Sequence, residues 1–171
     1  MNKADRSAAR SRGEPAFKAR LADAAATEAL GRQIAGALPE DASGWLLLLE
    51  GELGSGKSTL ARALLRTLGV AGPVPSPTYT LVEPYEVRGH PVYHVDLYRI
   101  SGETELTYLG WAELRQGLVL VEWPERVPGV AQGADLAIEL GFDDGGRRVS
   151  ITALSERAAA LRWGPAPLRV R

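Results

Sequence analysis

The chain has 171 residues, 45% apolar and 24% charged, with a formal net charge of −1, the profile of an ordinary soluble protein long enough for one domain with a proper core. It has no cysteine and two histidines, which excludes disulfides, thiolate metal sites and a His-rich metal cluster. No stretch is apolar for long enough to span a bilayer and the N-terminus lacks the apolar core of a signal peptide, so no membrane role and a cytoplasmic setting are expected.

Residues 1–20 carry six Lys/Arg against two Asp/Glu, a balance of +4 that leaves −5 for the remainder. With almost no large apolar residues, this segment reads as a basic, poorly ordered tail ahead of a single domain at 21–171. The mildly acidic body argues against a strong direct grip on nucleic acid. Residues 22–37 (ADAAATEALGRQIAGA) read as a helix capped by Asp23 or Thr27.

Trp45 to Leu49 (WLLLL) is a short apolar run of the kind that forms a buried parallel strand. Gly51 to Ser58 (GELGSGKS) follows at once and matches the phosphate-binding pattern of glycine, four residues, then Gly-Lys-Ser/Thr. Residues 58–68 (STLARALLRTL) have helical composition and spacing. Strand, loop and helix thus stand in the order that this chemistry requires. The glycines let consecutive backbone N–H groups turn inward around a polyphosphate, and the helix points its positive end at the anion. Gly54, Ser55, Gly56, Lys57, Ser58 and Thr59 are the expected nucleotide-binding residues, with Lys57 on the outer phosphates and the Ser58 hydroxyl on magnesium.

Residues 72–77 (GPVPSP) cannot be helical and form an exposed connection that delivers Thr78. Thr78 is placed to sense a γ-phosphate, against the plainer reading of a local backbone hydrogen bond. Residues 79–87 and 92–98 have β composition and are joined by a turn at 88–91. Residues 103–116 read as a helix, and Leu118 to Val121 as a second buried strand. Residues 134–142 and 147–154 alternate as a hairpin about Asp143 to Gly146, and a helix at 156–162 precedes a Pro-rich end. The fold class this implies is α/β, a P-loop NTPase-like sheet that is parallel at its centre with antiparallel additions, and helices on both faces.

Such a loop needs a carboxylate at the end of a nearby apolar strand to hold the metal or its waters. Glu122 and Asp96 both fit, and Glu122 is favoured because it ends the more apolar strand. His94, Asp96 and Tyr98 share one strand face, so an acid, an imidazole and the Arg99 guanidinium are expected close together, orienting water or forming a structural ion-pair network.

Four segments carry a resemblance: residues 51–59 (GELGSGKST), 76–85 (SPTYTLVEPY), 92–99 (VYHVDLYR) and 120–124 (LVEWP). In this order and spacing they resemble the TsaE family, the bacterial ATPase also called YjeE, over about residues 22–155. The resemblance implies a cytoplasmic ATPase that binds ATP with Mg2+ and works with TsaB and TsaD in making threonylcarbamoyladenosine at position 37 of tRNAs reading ANN codons. It implies Lys57 on the phosphates, Ser58 and Glu122 on magnesium, and Asp96 and Thr78 in hydrolysis or switching, with tRNA met only through the complex. Trp123 matches a tryptophan that matters to the family, and the adenine is expected near residues 22–27 and the turn at 145–147.

Asn2 to Asp5 (NKAD) matches the guanine-reading string but has no strand before it, and Asp143 to Gly146 fits the Asp-x-x-Gly of GTPases but reads better as a turn. A small-molecule kinase is a weaker reading, since no Arg-rich lid stands between residues 70 and 130. A non-hydrolysing nucleotide switch is the other alternative.

Overall fold

The structure, a computed structural model, describes residues 14–162. Phe17, Ala19 and Leu21 alternate with Lys18 and Arg20, and this period of two forms a strand, β1 (Phe17–Leu21), with the charged residues outward. It pairs antiparallel with a late strand, Phe17 opposite Ile151 and Leu21 opposite Arg147. The expected tail to residue 20 is therefore too long: residues 17–20 belong to the sheet, because their apolar alternation gives the strand a face to bury. The NKAD string and the Pro-rich end lie outside the described residues.

Asp23 is the cap of α1 (Ala24–Ala37); its Oδ1 accepts from the Ala26 amide at 2.8 Å. Thr27 lies inside the helix and donates its hydroxyl to the Asp23 carbonyl. Strand β2 (Leu46–Glu50) runs into the glycine loop and then α2 (Lys57–Leu68), which ends at Gly69 in the left-handed conformation. The two helices pack closely at Gly31, where an added Cβ would lie 2.7 Å from the Leu60 carbonyl oxygen and 2.9 Å from Ala63 Cβ.

β3 (Val82–Val87) and β4 (His90–Asp96) form the expected hairpin, but β3 starts later than Tyr79. The Leu81 amide closes a turn onto the Pro77 carbonyl at 2.7 Å, so Thr78, Tyr79 and Thr80 form a turn rather than a strand. Pro84 is tolerated because β3 lies at the edge of the sheet. The helix expected over 103–116 is two short ones, α3 (Glu103–Tyr108) and α4 (Trp111–Leu114), broken where Gly110 takes φ +70°. β5 (Leu118–Glu122), β6 (Leu136–Asp143), β7 (Gly146–Ala153) and α5 (Glu156–Ala159) complete the elements, with two 3-10 turns, Pro124–Arg126 and Pro128–Ala131, after β5. The Asp143 to Gly146 segment is the β6–β7 hairpin turn.

The seven strands order β1-β7-β6-β2-β5-β4-β3. β6, β2, β5 and β4 are mutually parallel, and the hairpin partners flank them antiparallel. Because successive strand residues face opposite sides, Leu47 and Leu49 join α1 and α2 in one apolar layer. Leu46 and Leu48 join Val95, Leu106 and Leu114 in the other. The register places Glu122 beside Leu49 on one side and Asp96 on the other, so the two acids and the glycine loop emerge at the carboxyl edge of the parallel strands.

Candidate functional site

The glycine loop turns where no other residue fits. Gly51 has φ +139°, and a Cβ there would meet the Leu140 carbonyl oxygen at 2.2 Å. Gly56 has φ +108° and begins α2; a Cβ on it would sit 3.4 Å from Thr27 and 3.5 Å from Arg147. The loop is thus seated on β6 below and bordered by α1 and β7 at the side.

Gly54, Gly56, Lys57, Ser58, Thr59, Thr78, Asp96 and Glu122 line one cleft of about 200 Å³, with Leu53, Trp123 and Arg147. Five separate chain segments converge there. Ser55 is the exception among the expected residues: its hydroxyl is fully buried beneath the loop, facing Gly51, and only its backbone belongs to the loop's curve.

Lys57 is buried and folded back over its own loop. Its Nζ donates to the carbonyls of Gly51 at 2.6 Å and Glu52 at 3.0 Å. The same ammonium lies 3.8 Å from the centre of the Trp123 ring, a cation–π contact. Burial pushes its pKa below the ordinary lysine value, and the nearby carboxylates of Glu122, Glu125 and Asp96 oppose that shift. Trp123 holds φ +60°, which turns the chain sharply after β5 and lays the indole against the lysine. The Tyr98 ring lies against Trp123 at a tilt of 55° with centroids 4.9 Å apart, and the Arg126 guanidinium lies 4.9 Å from the Tyr98 ring.

Glu122 is 2% exposed and engaged on both oxygens. Ser58 Oγ donates to Oε2 at 3.0 Å, and His94 Nε2 meets Oε1 at 2.8 Å. Asp96 has different partners: Thr78 Oγ1 at 3.1 Å and the Tyr98 amide at 2.8 Å. Thr78 in turn lies 3.0 Å from Ser76 Oγ. The acid, imidazole and guanidinium of residues 94–99 are therefore not gathered as the strand spacing suggested. His94 reaches across to the neighbouring strand's Glu122, and Arg99 lies against the exposed Tyr79 ring. Strand periodicity gives the face of a side chain but not which neighbour it meets.

Ser58 and Glu122 offer hard oxygen donors side by side, the chemistry that suits Mg2+. Among the described residues no group of three or more His, Cys, Asp or Glu converges as a metal site. Arg147 belongs to the 145–147 turn near which the resemblance puts the adenine, although it is not itself among the expected site residues; its Nη2 donates to the Gly54 carbonyl at 3.1 Å. A lone arginine just past a hairpin turn carries no motif, and only the pairing of β7 with β6 brings it to the loop.

The family model described as "Threonylcarbamoyl adenosine biosynthesis protein TsaE" matches residues 21–149. The chain is 39% identical over 142 residues to the tRNA threonylcarbamoyladenosine biosynthesis protein TsaE of Streptomyces coelicolor, covering 76% of this chain and 92% of that protein. It is 38% identical over 110 residues to the TsaE protein of Haemophilus influenzae, covering 63% and 70%. Among solved structures, Bacillus subtilis YdiB superposes with a TM-score of 0.66 at 29% identity, over 84% of this chain and 88% of that one.

Proposed function

The chain belongs to the TsaE family of tRNA threonylcarbamoyladenosine biosynthesis, and from that premise we propose that it is the family's ATP-binding and ATP-hydrolysing subunit, acting in the cytoplasm with TsaB and TsaD. The observation that carries this reading is the convergence of the 51–58 loop with Ser58 and Glu122 on one cleft. The loop amides and Lys57 bind the triphosphate. Ser58 and Glu122 hold Mg2+, which when bound neutralises charge on the phosphates.

The remaining residues bind and orient. Lys57 exchanges its two loop carbonyls for phosphate oxygens, a charge-assisted trade that keeps the buried ammonium hydrogen-bonded. Thr78 and Asp96 act as a pair, the hydroxyl held by the carboxylate at the cleft wall where the outer phosphate arrives. Trp123 covers the lysine and keeps water from it. TsaB and TsaD are the partners that hydrolysis serves, and tRNA is met through them.

Phosphate release from ATP tests this, measured with the chain alone, with TsaB and TsaD, and with Lys57→Ala. The expected pattern is slow release alone, an altered rate with the partners, and loss in the variant. Unchanged release by Lys57→Ala removes the loop from the mechanism, and phosphate appearing on a small metabolite favours a kinase.

A further inference from the structure

The wild-type cleft pins Glu122 by two hydrogen bonds of unlike character. Ser58 stands on the cleft wall, whereas His94 is 1% exposed and sealed beneath it on β4. A carboxylate oxygen only accepts, so the imidazole must carry its proton on Nε2 to make the 2.8 Å contact with Oε1. Among the described residues Nδ1, which is buried, has no hydrogen-bond partner, and it fits there as a bare lone pair better than as a second N–H. Among those residues the side chain thus has one polar contact, and that contact is to Glu122.

We propose that His94 is a positioning residue: it anchors Oε1 of Glu122 from below, fixes the rotation of the carboxylate, and leaves Oε2 aimed at Ser58 and the Mg2+ site. This deepens the magnesium reading of the cleft and rests on it. Ser58 is the exchangeable partner, because its hydroxyl is on the wall that the nucleotide reaches. His94 is the permanent one, because neither solvent nor ligand reaches it. A carboxylate held on one oxygen loses less freedom when the other takes up an ion, so the anchor lowers the Mg2+ concentration the site requires.

The test uses the full chain and a fluorescent N-methylanthraniloyl ATP, titrated with Mg2+ and separately in EDTA, with thermal unfolding of each variant. His94→Leu is expected to raise the Mg2+ half-saturation by about 10–100-fold while leaving nucleotide affinity in EDTA unchanged. His94→Gln, whose amide nitrogen reaches the place of Nε2, restores it; His94→Asn, one carbon shorter, does not. In a Glu122→Gln background His94→Leu adds no further shift. Equal half-saturation in wild type and His94→Leu, an equal loss in EDTA, or additive shifts in the double variant overturn the proposal. If His94→Leu does not fold, the Gln and Asn pair decides: equal behaviour of the two overturns the proposal as well. If wild type itself binds nucleotide without any response to Mg2+, the magnesium reading falls and takes the anchor with it.

Discussion

Ser58 and Glu122 stand 64 residues apart in the chain, and the hydroxyl of one donates to the carboxylate of the other at 3.0 Å. The contact joins the first turn of α2 to the end of β5, and it exists because β5 is the immediate parallel neighbour of β2. Replacing Glu122 by Ala removes the acid and leaves Ser58 and His94 without it. We expect magnesium-dependent phosphate release to fall by about 10–100-fold, with nucleotide binding in EDTA far less affected. Phosphate release measured across a Mg2+ series checks this, and equal curves for variant and wild type reject the assignment.

Lys57 and Trp123 give the cleft its own optical reporter. On the proposed mechanism the ammonium would leave the indole face to meet a phosphate, so ATP binding should change Trp123 emission. The change should vanish in Trp123→Phe and in Lys57→Ala. Lys57→Ala should also weaken ATP binding by about 10–100-fold, the equivalent of one charge-assisted hydrogen bond of roughly 1.5–3 kcal/mol. A full emission change in Lys57→Ala would mean that the lysine is not what moves.

Gly51 has no room for a side chain. Alanine there would put Cβ 2.2 Å from the Leu140 carbonyl oxygen and force an L-residue to φ +139°. The backbone conformation alone costs about 1–2 kcal/mol, and the clash adds to it. Gly51→Ala should lower the urea midpoint and abolish nucleotide binding together, because the loop's seat on β6 would shift. A stable variant that still binds ATP would show that the loop can relocate.

Asp135 anchors the opposite end of the sheet. It is 2% exposed and accepts from the Leu46 amide at 3.0 Å, from Ser155 Oγ at 2.7 Å and from Arg157 at 2.7 Å on each oxygen. Burial alone would raise its pKa, but the bonds from Arg157, Ser155 and Leu46 together outweigh burial and hold it below the usual aspartate value. A lowered folded pKa means stability that is present above the unfolded value, about 3.9, and lost as pH falls through the folded one. Arg157 is half exposed, so the loss in Asp135→Ala should be about 2–4 kcal/mol at pH 7 rather than the full cost of a buried pair. Urea unfolding should show the gap between wild type and Asp135→Asn narrowing as pH drops below about 4. A gap that stays constant would place the stabilisation elsewhere.

Much of this architecture was legible along the chain. The 51–58 loop, the flanking strand and helix, the central β5 and both hairpin turns stand where composition and spacing put them, because each is a local pattern. The departures have local causes too. Gly110 splits a helix that its neighbours favoured, a Pro77–Leu81 turn delays β3, and an alternation of only five residues, two of them charged, hid β1 in a basic stretch. The TsaE resemblance rested on four motifs inside residues 51–124, and the family match over residues 21–149 contains them all.

By itself the amino-acid order determined which groups are available: a loop of glycines, a lysine, a serine and strand-end acids, with a continuous apolar run whose strand period of two sends Leu47 and Leu49 to one layer and Leu46 and Leu48 to the other. Only the tertiary structure decided how they pair. Strand order and register set Glu122 against Ser58 and His94, left Asp96 to Thr78, and brought Arg147 from a distant hairpin to the loop. The physical reason is reach. Periodicity fixes the side a residue faces, whereas a hydrogen bond near 3 Å depends on which strand lies next door, and that is settled by the packing of the whole sheet.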